Sequence, residues 1–134
     1  MTTMYATMRR GEAASIYRQV DVASRVGAAS PHRLVQLLYE DLEAALRQAA
    51  YATEGRRFEV KSARITKALA ILFALEAGLD HDKGGALSGT LSRVYRGART
   101  KVSDASVTGD AAALREVADG IADIADAWRQ IHGA

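Results

Sequence analysis

Ala29-Ser30-Pro31-His32-Arg33-Leu34-Val35-Gln36-Leu37-Leu38-Tyr39-Glu40-Asp41 is the stretch on which the fold turns. Ser30 suits an N-cap, because its hydroxyl can accept from a free amide of the first turn, and Pro31 suits the first helical position, where its missing N–H costs nothing. The chain's only proline therefore marks a boundary. Beyond it Leu34, Leu38, Leu42, Ala45, Leu46 and Ala49 recur at steps of three and four, which predicts a helix running to about Glu54 with one apolar side. Such a side needs a partner to cover it.

Working outward, Glu54-Gly55-Arg56 breaks the pattern, and Ile65, Leu69, Leu72, Leu75 and Leu79 predict a second helix from about Arg57 to Gly78. Leu79-Asp80-His81-Asp82-Lys83-Gly84-Gly85 reads as a connection, since adjacent glycines disfavour continued helix. Leu87, Leu91, Val94, Tyr95, Ala98 and Val102 predict a third helix from about Ala86 to Ser103. Ser106-Val107-Thr108-Gly109 reads as the next turn and Asp110 as an N-cap. A fourth helix carries Leu114, Val117, Ala118, Ile121, Ile124, Ala125, Trp128 and Ile131. Four amphipathic helices on short links specify an all-α fold, an antiparallel four-helix bundle spanning 30–134. Residues 1–29 lie outside that count. With Tyr5, Ile16, Tyr17, Val20, Val22 and Val26 less regularly spaced, they read as an N-terminal arm, either a short helix or an extended segment packed on the bundle.

At 134 residues and 25% charged, the chain fits a single domain, and much of its 49% hydrophobic fraction is alanine, which implies close helix packing. No cysteine is present, so disulfide and thiolate chemistry are excluded. Arg9 and Arg10 are followed by Gly11 and Glu12 instead of an apolar run, so no export signal is read and a cytosolic location is expected. Ala68 to Leu75 is far shorter than the roughly 20 residues a membrane span requires. A net charge of +2, with Arg93, Arg96, Arg99 and Lys101 as the densest basic stretch, gives no nucleic-acid signature.

No pattern for catalysis emerges. No Glu is followed three residues later by His, as a di-iron bundle requires, and Asp80-His81-Asp82 lies in a glycine-flanked segment, so neither metal nor cofactor is assigned. Glu40, Asp41 and Glu43 fall on or near the solvent side of the first helix. His32 and His132 lack a nucleophile at useful spacing, and Gly84-Gly85 lacks the continuation of a phosphate loop. The expected role is binding another protein, through grooves that accept amphipathic helices. Tyr5, Tyr17, Tyr39 and Tyr95 supply rings suited to a partly wet interface. Leu91 and Tyr95 on the third helix, with Ile65 and Leu69 on the second, are the expected groove positions, whereas Leu38 and Trp128 are expected to point inward.

The chain resembles the flagellar secretion chaperone family across about residues 15 to 131. The resemblance rests on Tyr17-x-Gln19, on Ala29-Ser30-Pro31 leading into Leu34-Val35 and Leu37-Leu38-Tyr39, and on Lys67-Ala68 in a helix ending at Leu79-Asp80. It continues through Leu91-x-x-x-Tyr95 and from Asp110 through Leu114 and Glu116-Val117 to Ile124-Ala125-Asp126-Ala127-Trp128. Glu40-Asp41 departs from the acidic residue followed by glycine that is usual in the family. The resemblance implies a cytosolic chaperone that binds the disordered C-terminal segment of flagellin, which becomes helical as it wraps. Premature polymerisation is thereby blocked and the client is kept for the flagellar type III export gate. It also implies that the arm, with Tyr17 and Val20, caps the binding surface when flagellin is absent. Two alternatives stand beside this one: a general helical adaptor or dimerisation module, and a regulator acting through an anti-sigma factor.

Overall fold

Ser30 has extended backbone (φ −71°, ψ 163°), and its Oγ accepts from the Arg33 N–H at 3.1 Å, so the first helix starts where its cap predicts. The computed structural model describes residues 30–131. They form α1 (Pro31–Glu54), α2 (Phe58–Ala77), α3 (His81–Thr108) and α4 (Ala111–Ile131). Helix α1 packs against α2 and α4, and α3 packs against the same two from the other side. With short links between consecutive helices, this is the expected four-helix bundle.

Two boundaries differ from the sequence reading. The segment expected as a loop before Ala86 contains a turn of helix, because Asp80 Oδ1 accepts from the Lys83 N–H at 3.0 Å and Ser88 Oγ donates back to the Asp80 carbonyl at 3.0 Å. The break falls on one residue, Gly85, at φ 54° and ψ −131°, a conformation that glycine adopts without steric cost. At the other end α3 runs five residues past Ser103. The apolar spacing of Leu91, Tyr95, Ala98 and Val102 extends to a buried Ala105, and the helix stops only at the left-handed Gly109 (φ 72°). Asp110 then caps α4, accepting from the Ala113 N–H at 3.0 Å.

The core is built from the stripes that periodicity marked, and its widest members are Trp128, Tyr39 and Tyr95. Trp128 closes one end. Its Nε1 donates to the His32 carbonyl at 3.0 Å, its ring stacks on the His32 imidazole at 4.5 Å, and the Tyr39 ring meets it edge-on at 6.3 Å. Tyr39 and Tyr95 share a hydroxyl hydrogen bond of 2.7 Å across the centre, from α1 to α3. Burial, together with the neighbouring Tyr95, raises the Tyr39 phenol well above its ordinary pKa, so it remains protonated and able to bond.

Charge fastens α2 to α3. Glu76 holds Arg96 at 2.6 Å, Arg99 at 2.9 Å and the Ser92 hydroxyl at 2.9 Å, so two arginines of the basic stretch on α3 are paired. Burial pushes the Glu76 carboxyl up, but the hydrogen bonds from Arg96 and Ser92 and the charges of Arg99 and Arg96 outweigh it and hold the group below its ordinary 4.5. A carboxyl with a depressed folded pKa contributes stability that is present above its unfolded pKa and is lost as pH falls through the folded one. Acid unfolding below about pH 4.5 should therefore be less steep in Glu76→Gln than in the parent. Equal slopes in denaturant titrations across that range would remove Glu76 from the account.

Candidate partner-binding site

The seam between α3 and α4 leaves apolar surface open to solvent. Gly97 and Ala98 on α3 face Val117, Gly120 and Ile121 on α4, leaving an open groove of about 330 Å³. Val94 and Ile124 complete its apolar lining, and Arg93, Lys101 and Glu116 rim it. Val94 is 41% exposed, a large fraction for a β-branched apolar side chain with nothing polar to offer water.

The two glycines sharpen the point. A Cβ added at Gly97 or Gly120 would meet no atom within 4 Å, so the bundle's own packing does not demand glycine at either place. Glycine inside a helix is less stable than alanine by about 0.5–1 kcal/mol. Gly97→Ala and Gly120→Ala should each raise stability by about that amount in urea denaturation. A decrease would show that both serve internal packing and leave the groove without a special floor.

A second, shallower depression lies on the other side of α3, where Leu69, Ala70 and Phe73 of α2 face Arg99, Thr100, Ser103 and Asp104. Phe73 is largely exposed, with the Arg99 guanidinium 5.7 Å from its ring centre. Helix α3 is thus flanked by apolar surface on two sides.

The residues expected to line a groove occupy different places. Ile65, Leu91 and Tyr95 are buried in the core, Tyr95 completely, so in this structure they form no open groove wall. Tyr39, expected at an interface, is equally buried. Leu69, half-buried, is the one of the four that borders a depression. Tyr17 and Val20 lie outside the described residues. Periodicity did not single out Val94, Gly97, Gly120 and Ile124 as a site. A signal for them existed in the sequence, because 94, 97 and 101 share one side of α3 and 117, 120 and 124 one side of α4, each with a glycine in the middle.

The described residues hold no group of three or more side chains able to ligate a metal, and Asp80 of the Asp80-His81-Asp82 cluster serves as a helix cap. None of the described helices is long and apolar enough to cross a membrane. Fold and groove together define a small helical bundle with unfilled apolar seams. A family model described as flagellar protein FliS matches residues 13–134. The flagellar secretion chaperone FliS of Salmonella typhimurium is 37% identical over 116 residues, covering 86% of each chain. FliSB of Pseudomonas aeruginosa is 34% identical over 112 residues, 84% of this chain and 89% of that one. FliS of Vibrio cholerae is 33% identical over 115 residues, 86% and 85% of the two chains. The chain belongs to the FliS family of flagellar secretion chaperones.

Proposed function

We propose that this chaperone binds the disordered C-terminal segment of flagellin in the cytosol, prevents its premature polymerisation and delivers it to the flagellar type III export apparatus. The observation that carries this reading is the open α3–α4 groove with its glycine floor. An amphipathic client helix seats apolar side chains at i, i+3, i+4 and i+7 in such a groove, and two positions without side chains let its backbone come close. A client that is disordered beforehand loses ordering entropy on binding, which leaves a large interface with moderate affinity and makes release at the gate feasible. No bond-making chemistry enters, and the protein is not an enzyme.

The binding surface is assigned here to Val94, Gly97, Gly120 and Ile124, with Leu69 and Phe73 on the far side of α3, in place of Ile65, Leu91 and Tyr95. Within the same proposal, Tyr17 and Val20 of the N-terminal segment compete with the client as a tethered cap. The test is reconstitution: the protein should form a one-to-one complex with flagellin, and removal of roughly the last 40 flagellin residues, a length matched to what a bundle this size can contact, should abolish it. Binding of truncated flagellin, or circular dichroism of the complex that merely sums its free components, would favour the general-adaptor reading instead.

A further inference from the structure

We propose that the α1–α2 end of the bundle is a second docking site, separate from the α3–α4 groove, for an acidic and partly apolar segment of a partner protein. Arg47 and Tyr51 on α1 face Arg57, Val60 and Arg64 across a depression of about 370 Å³. Three guanidinium groups thus line one recess, over an apolar floor to which Val60 and Tyr51 contribute. Tyr51 is 70% exposed.

The ion pairs around this end show which cations are available. Arg47 is held by Glu43 at 3.0 Å and Asp119 at 2.9 Å. Glu54, the acid at the end of α1, is taken by both terminal nitrogens of Arg115 at 2.8 and 2.6 Å. Among the described residues, neither Arg57 nor Arg64 has an ion-pair partner. Two guanidinium forks beside an exposed tyrosine offer bidentate sites for carboxylates and a flat apolar face for the side chain between them.

Backbone strain at the same end is an independent observation. The turn Gly55-Arg56-Arg57 places its left-handed residue at Arg56 (φ 55°), whereas Gly55, which could adopt that conformation without penalty, sits at φ −83°. Left-handed backbone is unfavourable for a residue with a Cβ, and departures from local preference concentrate where a surface is used. Beside this turn the Arg56 guanidinium lies 5.6 Å from the centre of the exposed Phe58 ring, which extends the pattern of paired cation and aromatic beyond the recess.

Charge extent selects the occupant. The positive surface is interrupted by carboxylates: Glu54 adjoins the turn, and Asp119 lies against Arg47. A nucleic-acid backbone running out of the recess would meet those carboxylates, whereas a short acidic peptide ends before them. The fit is therefore to an acidic protein segment.

The experiment uses the full chain and a short fluorescein-labelled peptide built only of Glu and Leu, read by fluorescence anisotropy at low and at physiological salt. A Lys and Leu peptide and a single-stranded RNA of equal charge to the acidic peptide serve as comparisons. The acidic peptide should bind and weaken with salt, and Arg57→Glu/Arg64→Glu should weaken it by about tenfold or more, the equivalent of two exposed ion pairs. Arg64→Gln, which leaves the start of α2 untouched, should give a smaller loss with an unchanged melting curve, and Arg57→Lys/Arg64→Lys should retain most binding. Flagellin-tail affinity should not change in any of these variants, so failure of the flagellin proposal leaves this one standing and the reverse also holds. Peptide binding that is absent or indifferent to the variants would overturn the proposal, as would RNA bound as tightly through the same arginines. So would loss of flagellin binding in parallel, or sedimentation showing that the arginines join two copies of the chain.

Discussion

Trp128→Ala is expected to cost about 3–5 kcal/mol of folding stability, a large share of the 5–15 kcal/mol typical of a domain. Trp128 is completely buried, so its removal opens a cavity that the surrounding helices can only partly close. It also removes three specific contacts at once: the Nε1 bond to the His32 carbonyl, the stack on His32 and the edge of Tyr39. The two contacts to His32 tie the start of α1 to the end of α4, and the Tyr39 edge adds a contact further along α1. Leu91→Ala and Tyr95→Ala should fall in the same class, because both side chains are interior, and Tyr95→Ala additionally leaves the buried Tyr39 hydroxyl without the 2.7 Å bond it makes now. Urea denaturation followed by far-UV circular dichroism is the measurement, since Trp128 is the only tryptophan and its fluorescence is lost with it. Variants at Leu91 or Tyr95 that lose less than about 1 kcal/mol would return those residues to the surface and undo their placement in the core.

Val94→Glu should act in the opposite way, leaving the bundle within about 0.5 kcal/mol of the parent while weakening the flagellin tail by about 2 kcal/mol, roughly thirtyfold. The side chain is 41% exposed, so a carboxylate there stays in water in the free protein. With a client helix seated over Val94 and Ile124, the same carboxylate would be stripped of water against apolar side chains. Calorimetric titration of the tail beside thermal unfolding of the variant separates the two effects. Unchanged affinity would move the client off the α3–α4 groove. Gly97→Ala provides an internal comparison, since it should stabilise the free protein and weaken the client together, a sign combination that loss of folding cannot produce.

The limits of sequence reading are visible at particular residues. At the start of α3, Gly84-Gly85 signals an interruption but carries no sign that Asp80 captures one helical turn ahead of it. At its far end Ser103, Ser106 and Thr108 resemble turn residues, so the sequence suggests an earlier stop than the structure shows. Once Ala105 has an interior to enter, however, those hydroxyls are compatible with helix, and Thr108 Oγ1 bonds back to the Asp104 carbonyl at 3.0 Å. The expected groove suffered from a related ambiguity. Leu91 and Tyr95 are buried, whereas Val94, on the edge of the same stripe, lines the open groove.

What the sequence by itself determined is what local chemistry and order can carry. Ser30-Pro31 and Asp110 are caps whose hydrogen bonds close within a few residues, so the helix starts they mark needed no tertiary partner. The apolar steps of three and four established four helices, and the ordered motifs from Ala29-Ser30-Pro31 to Trp128 established the family. Only the tertiary structure decided which side of each stripe is covered. Periodicity defines an apolar face wide enough to include both a buried centre and an open edge, and the size of residues on the neighbouring helix settles where contact ends. Tyr95 is buried with its hydroxyl bonded to Tyr39 of α1, whereas Val94, one residue earlier on the same helix, stays exposed beside the α3–α4 groove.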